Sequence, residues 1–135
     1  MEKEFLNYTE ALALKELGFD EPCFGYYTGD KKHLLIRPNM GRRNEDLNDI
    51  VCTAPLYQQA FRWFREKYEL FSEVIMHIPQ EGDLDGCFTY LFLISSVNNY
   101  TKNTKVNRTY YKSHEEAELE CLKKLIEITQ NTNKK

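Results

Sequence analysis

Apolar residues recur along this chain at two spacings, one helical and one extended, and the changes between them mark its elements. Ala11, Leu12, Ala13, Leu14 and Leu17 form a first apolar helix. Thr9 is placed to cap it, Gly18 to end it in the left-handed region, and Phe19 to return toward the core. Pro22 opens an extended stretch from Cys23 to Tyr27. Thr28-Gly29-Asp30 reads as a turn and His33 to Arg37 as the return strand. Pro38 to Cys52 is rich in turn formers (Asn39, Gly41, Asn44, Asn48) and predicts a long irregular segment.

Thr53 then reads as the cap of an aromatic helix with Pro55 in its first turn. Leu56, Ala60, Phe64 and Tyr68 fall four apart on one stripe, which Tyr57 and Phe61 widen. Trp63 falls at the margin of that stripe, beside Arg62. Val74, Met76 and Ile78 alternate with Ile75 and His77, a strand pattern, and Glu81 to Gly86 is a polar turn. Phe88 to Ile94 is apolar on both faces, as the most buried strand of a sheet should be. Arg108 to Tyr111 is a last strand or the distal half of a long hairpin. Ser113 and Glu116 stand at capping-box spacing before a final helix whose face is Ala117, Cys121, Leu125 and Ile128, with Leu122 and Ile126 beside it.

The order α-β-β-α-β-β-α predicts an α+β fold: one antiparallel sheet of four to five strands with three helices packed mainly on one face. Its 135 residues fit a single domain over 1–128, followed by a frayed polar tail over 129–135. Hydrophobic residues at 41 % and aromatics at 13 % supply a core without staples. Met1-Glu2-Lys3-Glu4 lacks the features of a secretory leader, and Leu91 to Ile94 is far too short to span a bilayer. The expectation is a cytoplasmic protein with no membrane partner.

The segments Glu10 to Tyr27, Ala54 to Tyr68 and Glu115 to Ile128 include Leu17-Gly18-Phe19-Asp20-Glu21-Pro22-Cys23 and Phe61-Arg62-Trp63-Phe64-Arg65. They resemble an uncharacterised family of short proteins found in phages, prophages and other mobile elements of gut Bacteroidales. In that group the stretches corresponding to Thr28 to Thr53 and Gln80 to Lys112 vary. The resemblance implies the cytoplasm of a bacterial host and a mobile-element setting. It carries over no activity and no catalytic or binding residue.

Candidate chemistry is sparse. Cys23, Cys52, Cys87 and Cys121 are widely spaced, without a CxxC or a Cys–His pair at metal spacing, and read as small buried hydrophobes. His33, His77 and His114 share no local motif. Glu81, Asp83 and Asp85 lack the downstream ligands of a calcium loop. Neither a phosphate loop nor a nucleophile elbow is present. No catalytic, metal or cofactor residue is assigned, and the chain reads as a non-enzyme.

Charge is more informative than its net value of −3. Lys31 to Arg43 and Gly86 to His114 hold nine of the eighteen cations and no acid. Two binding readings follow. The first is a small interaction module that contacts a protein partner, or a second copy of itself, through Arg62 and Trp63, since Trp and Arg are enriched at interfaces. The alternative is nucleic-acid binding through the basic segments 31–43 and 100–112, with Arg42, Arg43, Lys102, Lys105 and Arg108 on phosphates and nearby tyrosines stacking bases. An enzyme whose His77, an acid and a cysteine converge in a cleft is the third.

Overall fold

The computed structural model describes residues 2–29, 33–38, 41–45, 50–77, 89–98 and 101–133, and side chains within these except at 2, 50, 97, 98 and 101–108. The chain is α+β, as its periodicities predict. It contains α1 (Tyr8–Glu16), β1 (Gly25–Thr28), β2 (His33–Ile36), β3 (Ile50–Ala54), α2 (Tyr57–Tyr68), β4 (Leu70–His77), β5 (Thr89–Asn98), β6 (Thr101–Tyr111) and α3 (His114–Asn133). The described strands form two antiparallel three-stranded sheets, β2-β1-β3 and β4-β5-β6, in place of one sheet of four to five strands. The chain divides into two compact units, Met1–Trp63 with Thr129–Lys135, and Phe64–Ile128, with one boundary inside α2.

In the first unit, α1 ends where the sequence places its stop. Gly18 has φ 98°, the Phe19 amide donates to the Leu14 carbonyl (2.9 Å), and the Gly18 amide to that of Lys15 (3.0 Å). This is a Schellman turn, and its apolar partners Leu14 and Phe19 are both buried. The start differs by two residues: Asn7, not Thr9, caps α1, its Oδ1 accepting from the Glu10 amide at 3.2 Å. Asn7 has extended φ/ψ, which a capping side chain needs.

The larger correction is β3. Thr53 lies inside this strand and is fully buried, so it is not the cap of α2. Pairing with β1 (Tyr26 opposite Thr53, Tyr27 opposite Cys52) outweighs the local cap signal. Tyr27 faces the side of this sheet that α1 covers. Its hydroxyl donates to the Leu6 carbonyl (2.8 Å), its ring meets Tyr8 edge-on at 5.6 Å, and Lys15 Nζ donates to the Val51 carbonyl (2.7 Å). Gly25 is the close approach in β1: a Cβ there would stand 2.8 Å from the Phe5 ring and 3.0 Å from the Ala54 carbonyl oxygen.

In the second unit β5 is the central strand, as its two-sided apolar run predicts. The open alternative at 108–111 resolves as a long β5–β6 hairpin, with β6 starting at Thr101. Ile78 and Phe88, expected in strands, and the turn at 81–86 lie outside the described residues. Against one sheet face lies α3: Cys121 adjoins Ser72, and the His114 ring meets Tyr90 edge-on at 5.9 Å. Ser113 Oγ accepts from the Glu116 amide (3.1 Å), the cap bond the spacing predicts, while the Glu116 carboxylate accepts from the amide of Lys112 (3.3 Å), one residue before the cap rather than from the cap's own amide. The helix runs to Asn133, and Thr129 within it is fully buried. A single residue, Glu69, joins α2 to β4 in the left-handed region (φ 54°).

Two substitutions check this account. Gly25→Ala forces the Phe5 ring and β3 apart and should cost about 1–3 kcal/mol by urea denaturation. Glu69→Gly removes the steric cost of a non-glycine left-handed residue, partly offset by unfolded-chain entropy, and should stabilise by up to about 1 kcal/mol in the same assay.

Candidate functional site

Trp63 is the first sequence-predicted site residue the structure relocates. It is buried (7 % exposed) and meets Phe19 edge-on at 5.4 Å. Helical spacing centred the stripe on Phe64 and left Trp63 at its margin. Phe19, brought back by the Gly18 turn, draws the buried arc around to Trp63. The indole is therefore a core group and is not offered to a partner. Arg62 remains exposed and pairs with Glu21 at 3.4 Å, a surface ion pair of small energetic weight.

Neither Arg42 nor Arg43 sits on a free loop. Arg42 exchanges backbone hydrogen bonds with Cys23 (2.7 and 2.9 Å), and Arg43 Nη1 donates to the Asp20 carbonyl (3.2 Å). Between them and β3, Asn44 is buried and uses both ends of its amide: Nδ2 donates to the Phe19 carbonyl (2.7 Å), and Oδ1 accepts from the Thr53 amide (2.9 Å). Glu45 adds an amide bond to Asp20 Oδ1 (3.1 Å). Segment 41–45 is thus laced along 19–23, with the first half of α2 closing the arrangement through Gln59 Nε2 to the Pro22 carbonyl (3.0 Å). Its polar groups serve the fold.

Lys102, Lys105 and Arg108 lie on β6. Lys102 stands opposite Val97 and Lys105 opposite Ile94. Arg108 lies at the register shift between Tyr90 and Phe92. Arg42 and Arg43 belong to the first unit and these three residues to the second.

Among the described residues, no group of three or more His, Cys, Asp or Glu side chains could hold a metal ion. His33 is exposed, His77 lies 5.0 Å from the Tyr110 ring, and His114 Nδ1 stands 3.9 Å from Glu118. Cys23, Cys52 and Cys121 are unpaired and buried. Burial pushes the Cys23 thiol up to about 12, against smaller downward pulls from the Thr53 and Gln59 side chains. It pushes Cys52 to about 11, opposed by the Lys15 charge, and Cys121 to about 12, opposed by Ser72. None of the three is a thiolate at neutral pH, so none is a ready nucleophile.

Sequence reasoning missed a half-covered apolar surface, the β4-β5-β6 sheet face away from α3. The register places Phe71, Glu73, Ile75 and His77 of β4 on that face opposite Ser95, Leu93, Leu91 and Thr89 of β5. Tyr110 of β6 joins them over His77. The α3 side holds Phe92 and Ile94 at 2 % and 5 % exposure. On the other side Leu91, Leu93 and Ile75 are only half-buried, and Phe71 (43 %) and Tyr110 (54 %) are exposed. The doubly apolar run was the signal. It was read as burial on both sides, and only Phe92 and Ile94, on the α3 side, are buried. Such a face suits non-covalent contact with an apolar surface. No helix among the described residues is long and apolar enough to cross a membrane.

The three thiols provide a direct check. At pH 8, site-resolved iodoacetamide labelling of Cys23, Cys52 and Cys121 should run at least ~100-fold slower in the native protein than in urea. Their raised native values mean that the folded state holds protons the unfolded chain releases. Stability should therefore fall as pH rises above about 9, the ordinary thiol value, toward the native values.

In comparisons with known proteins, the chain matches no family model, no curated protein and no solved structure.

Proposed function

We propose that this protein is a small non-enzymatic interaction module of phage or mobile-element origin. It works in the cytoplasm of a bacterial host and acts by protein–protein contact through the open face of the β4-β5-β6 sheet. The observation that carries this reading is the mismatch on β5. Leu91 and Leu93 are as apolar as Phe92 and Ile94, yet they remain half-buried beside exposed Phe71 and Tyr110. An isolated domain gains nothing from apolar side chains that it leaves in water. A partner that covers them gains transfer free energy in proportion to the area removed from solvent. The origin and compartment rest on the resemblance of the three sequence blocks.

The test is site-specific photo-cross-linking in a bacterial host. A photoreactive residue at position 71 or 110 should yield discrete adducts with another protein. The same residue at Lys124, half-exposed on α3, should yield none. Adducts confined to nucleic acid, or none from either sheet position, would sink the reading.

A further inference from the structure

The register sorts the residues of the β2-β1-β3 sheet between two faces. Gly25 and Tyr27 of β1 point to the inner face: a Cβ on Gly25 would meet the Phe5 ring, and the Tyr27 hydroxyl donates to the Leu6 carbonyl. The pleat therefore turns Tyr26 and Thr28 outward, and with them Phe24, just before β1. Tyr26 stands opposite Leu35 and Thr28 opposite His33, and the Arg37 amide donates to the Phe24 carbonyl (2.7 Å). Phe24, Tyr26 and Thr28 thus run beside Arg37, Leu35 and His33. On β3 the same face is closed, since Thr53, opposite Tyr26, is fully buried.

The β1–β2 part of this face meets solvent. Phe24 is 50 % exposed and Leu35 36 %, His33 and Arg37 are exposed, and Tyr26 is half-buried. Among the described residues, neither Phe24 nor Tyr26 packs against another ring, and no ion pair engages Arg37. Arg42 bridges to Cys23 at the entry to β1 through its backbone alone, and no ion pair among the described residues engages its half-buried guanidinium. Residues 22–29, 33–38 and 41–43 together carry three arginines and one histidine, and no acid, asparagine or glutamine.

We propose that the outer face of β1 and β2 binds single-stranded nucleic acid, with bases stacked on Phe24 and Tyr26 and phosphates held by Arg37 and Arg42. Charge complementarity selects the ligand. Guanidinium groups without a carboxylate beside them take an anion, and the rings among them take an anion with a flat apolar part. A nucleotide strand supplies both at every repeat. A duplex offers its phosphates but keeps its base faces inside its own stack. Alternate positions of a strand lie about 7 Å apart, so the two rings accept bases that have separated from one another. With no carboxylate or amide side chain here to read base edges, the site takes single strands with little regard to sequence.

This site belongs to the first unit and the sheet face proposed above to the second, so each can fail alone. Fluorescence anisotropy of a labelled oligothymidine of about 12 nucleotides, titrated with the purified chain at about 50 mM salt, should show saturable binding with Kd below about 100 µM. A duplex of the same length should bind at least about tenfold more weakly. Phe24→Ala should weaken single-strand binding at least about fivefold, whereas Phe24→Trp, which keeps a stacking ring, should stay within about threefold of wild type. Arg37→Gln should reduce the slope of log K against log salt by about 0.7, the share of one phosphate. Phe24 lies outside the core, so both variants at this position should unfold in urea as the wild type does. Absence of binding, equal affinity for single strand and duplex, undiminished binding by Phe24→Ala, or an unchanged salt slope in Arg37→Gln would overturn the proposal. So would a photoreactive residue at position 24 that labels only protein in a bacterial host.

Discussion

Everything in the second unit depends on one side of β5 being sealed by α3. Phe92 and Ile94 are buried, Tyr111 stacks on Phe92 at 6.2 Å, and the Ala117, Cys121, Leu122 and Leu125 arc of α3 is fully buried. A single helix can seal one face of a three-stranded sheet, not two. The hydrophobic effect has no direction of its own, so the same driving force acts on Leu91 and Leu93, which α3 does not cover. The half-covered face is therefore a consequence of the architecture combined with a sequence apolar on both sides. A designer who wanted only a stable monomer would have put polar residues at 91 and 93.

The first unit solves a different problem, that of holding an irregular segment without a helix or strand of its own. Asn44 does this with a side-chain amide. Its two ends imitate the two ends of a peptide group, satisfying the Phe19 carbonyl and the Thr53 amide at once. Buried backbone groups must find partners, and a buried asparagine with both ends used satisfies that demand where the chain cannot form a ladder. Arg42 and Arg43, the two residues before it, bond through the backbone and to a carbonyl, so a basic sequence stretch need not be a basic binding surface.

What could be read from the sequence divides along the same line. Gly18 with Phe19, Ser113 with Glu116, and the apolar run of β5 were legible because each signal is local: a left-handed stop, a cap, a short hydrophobic strand. β3 was not. Thr53-Ala54-Pro55 carries a strong local helix-start pattern, and only the distant partner β1 makes it a strand. Trp63 was misplaced for the same reason, since its neighbour Phe19 is far away in sequence. The end of α3 was set short because the residues from Thr129 onward are polar, although Thr129 itself is buried. Of the candidate site, Trp63 proved a core residue, and Arg42 and Arg43 are tied to residues 20–23 through backbone and carbonyl hydrogen bonds. The face that is open was visible only as an excess of hydrophobicity, and an excess cannot be recognised until the covering elements are counted.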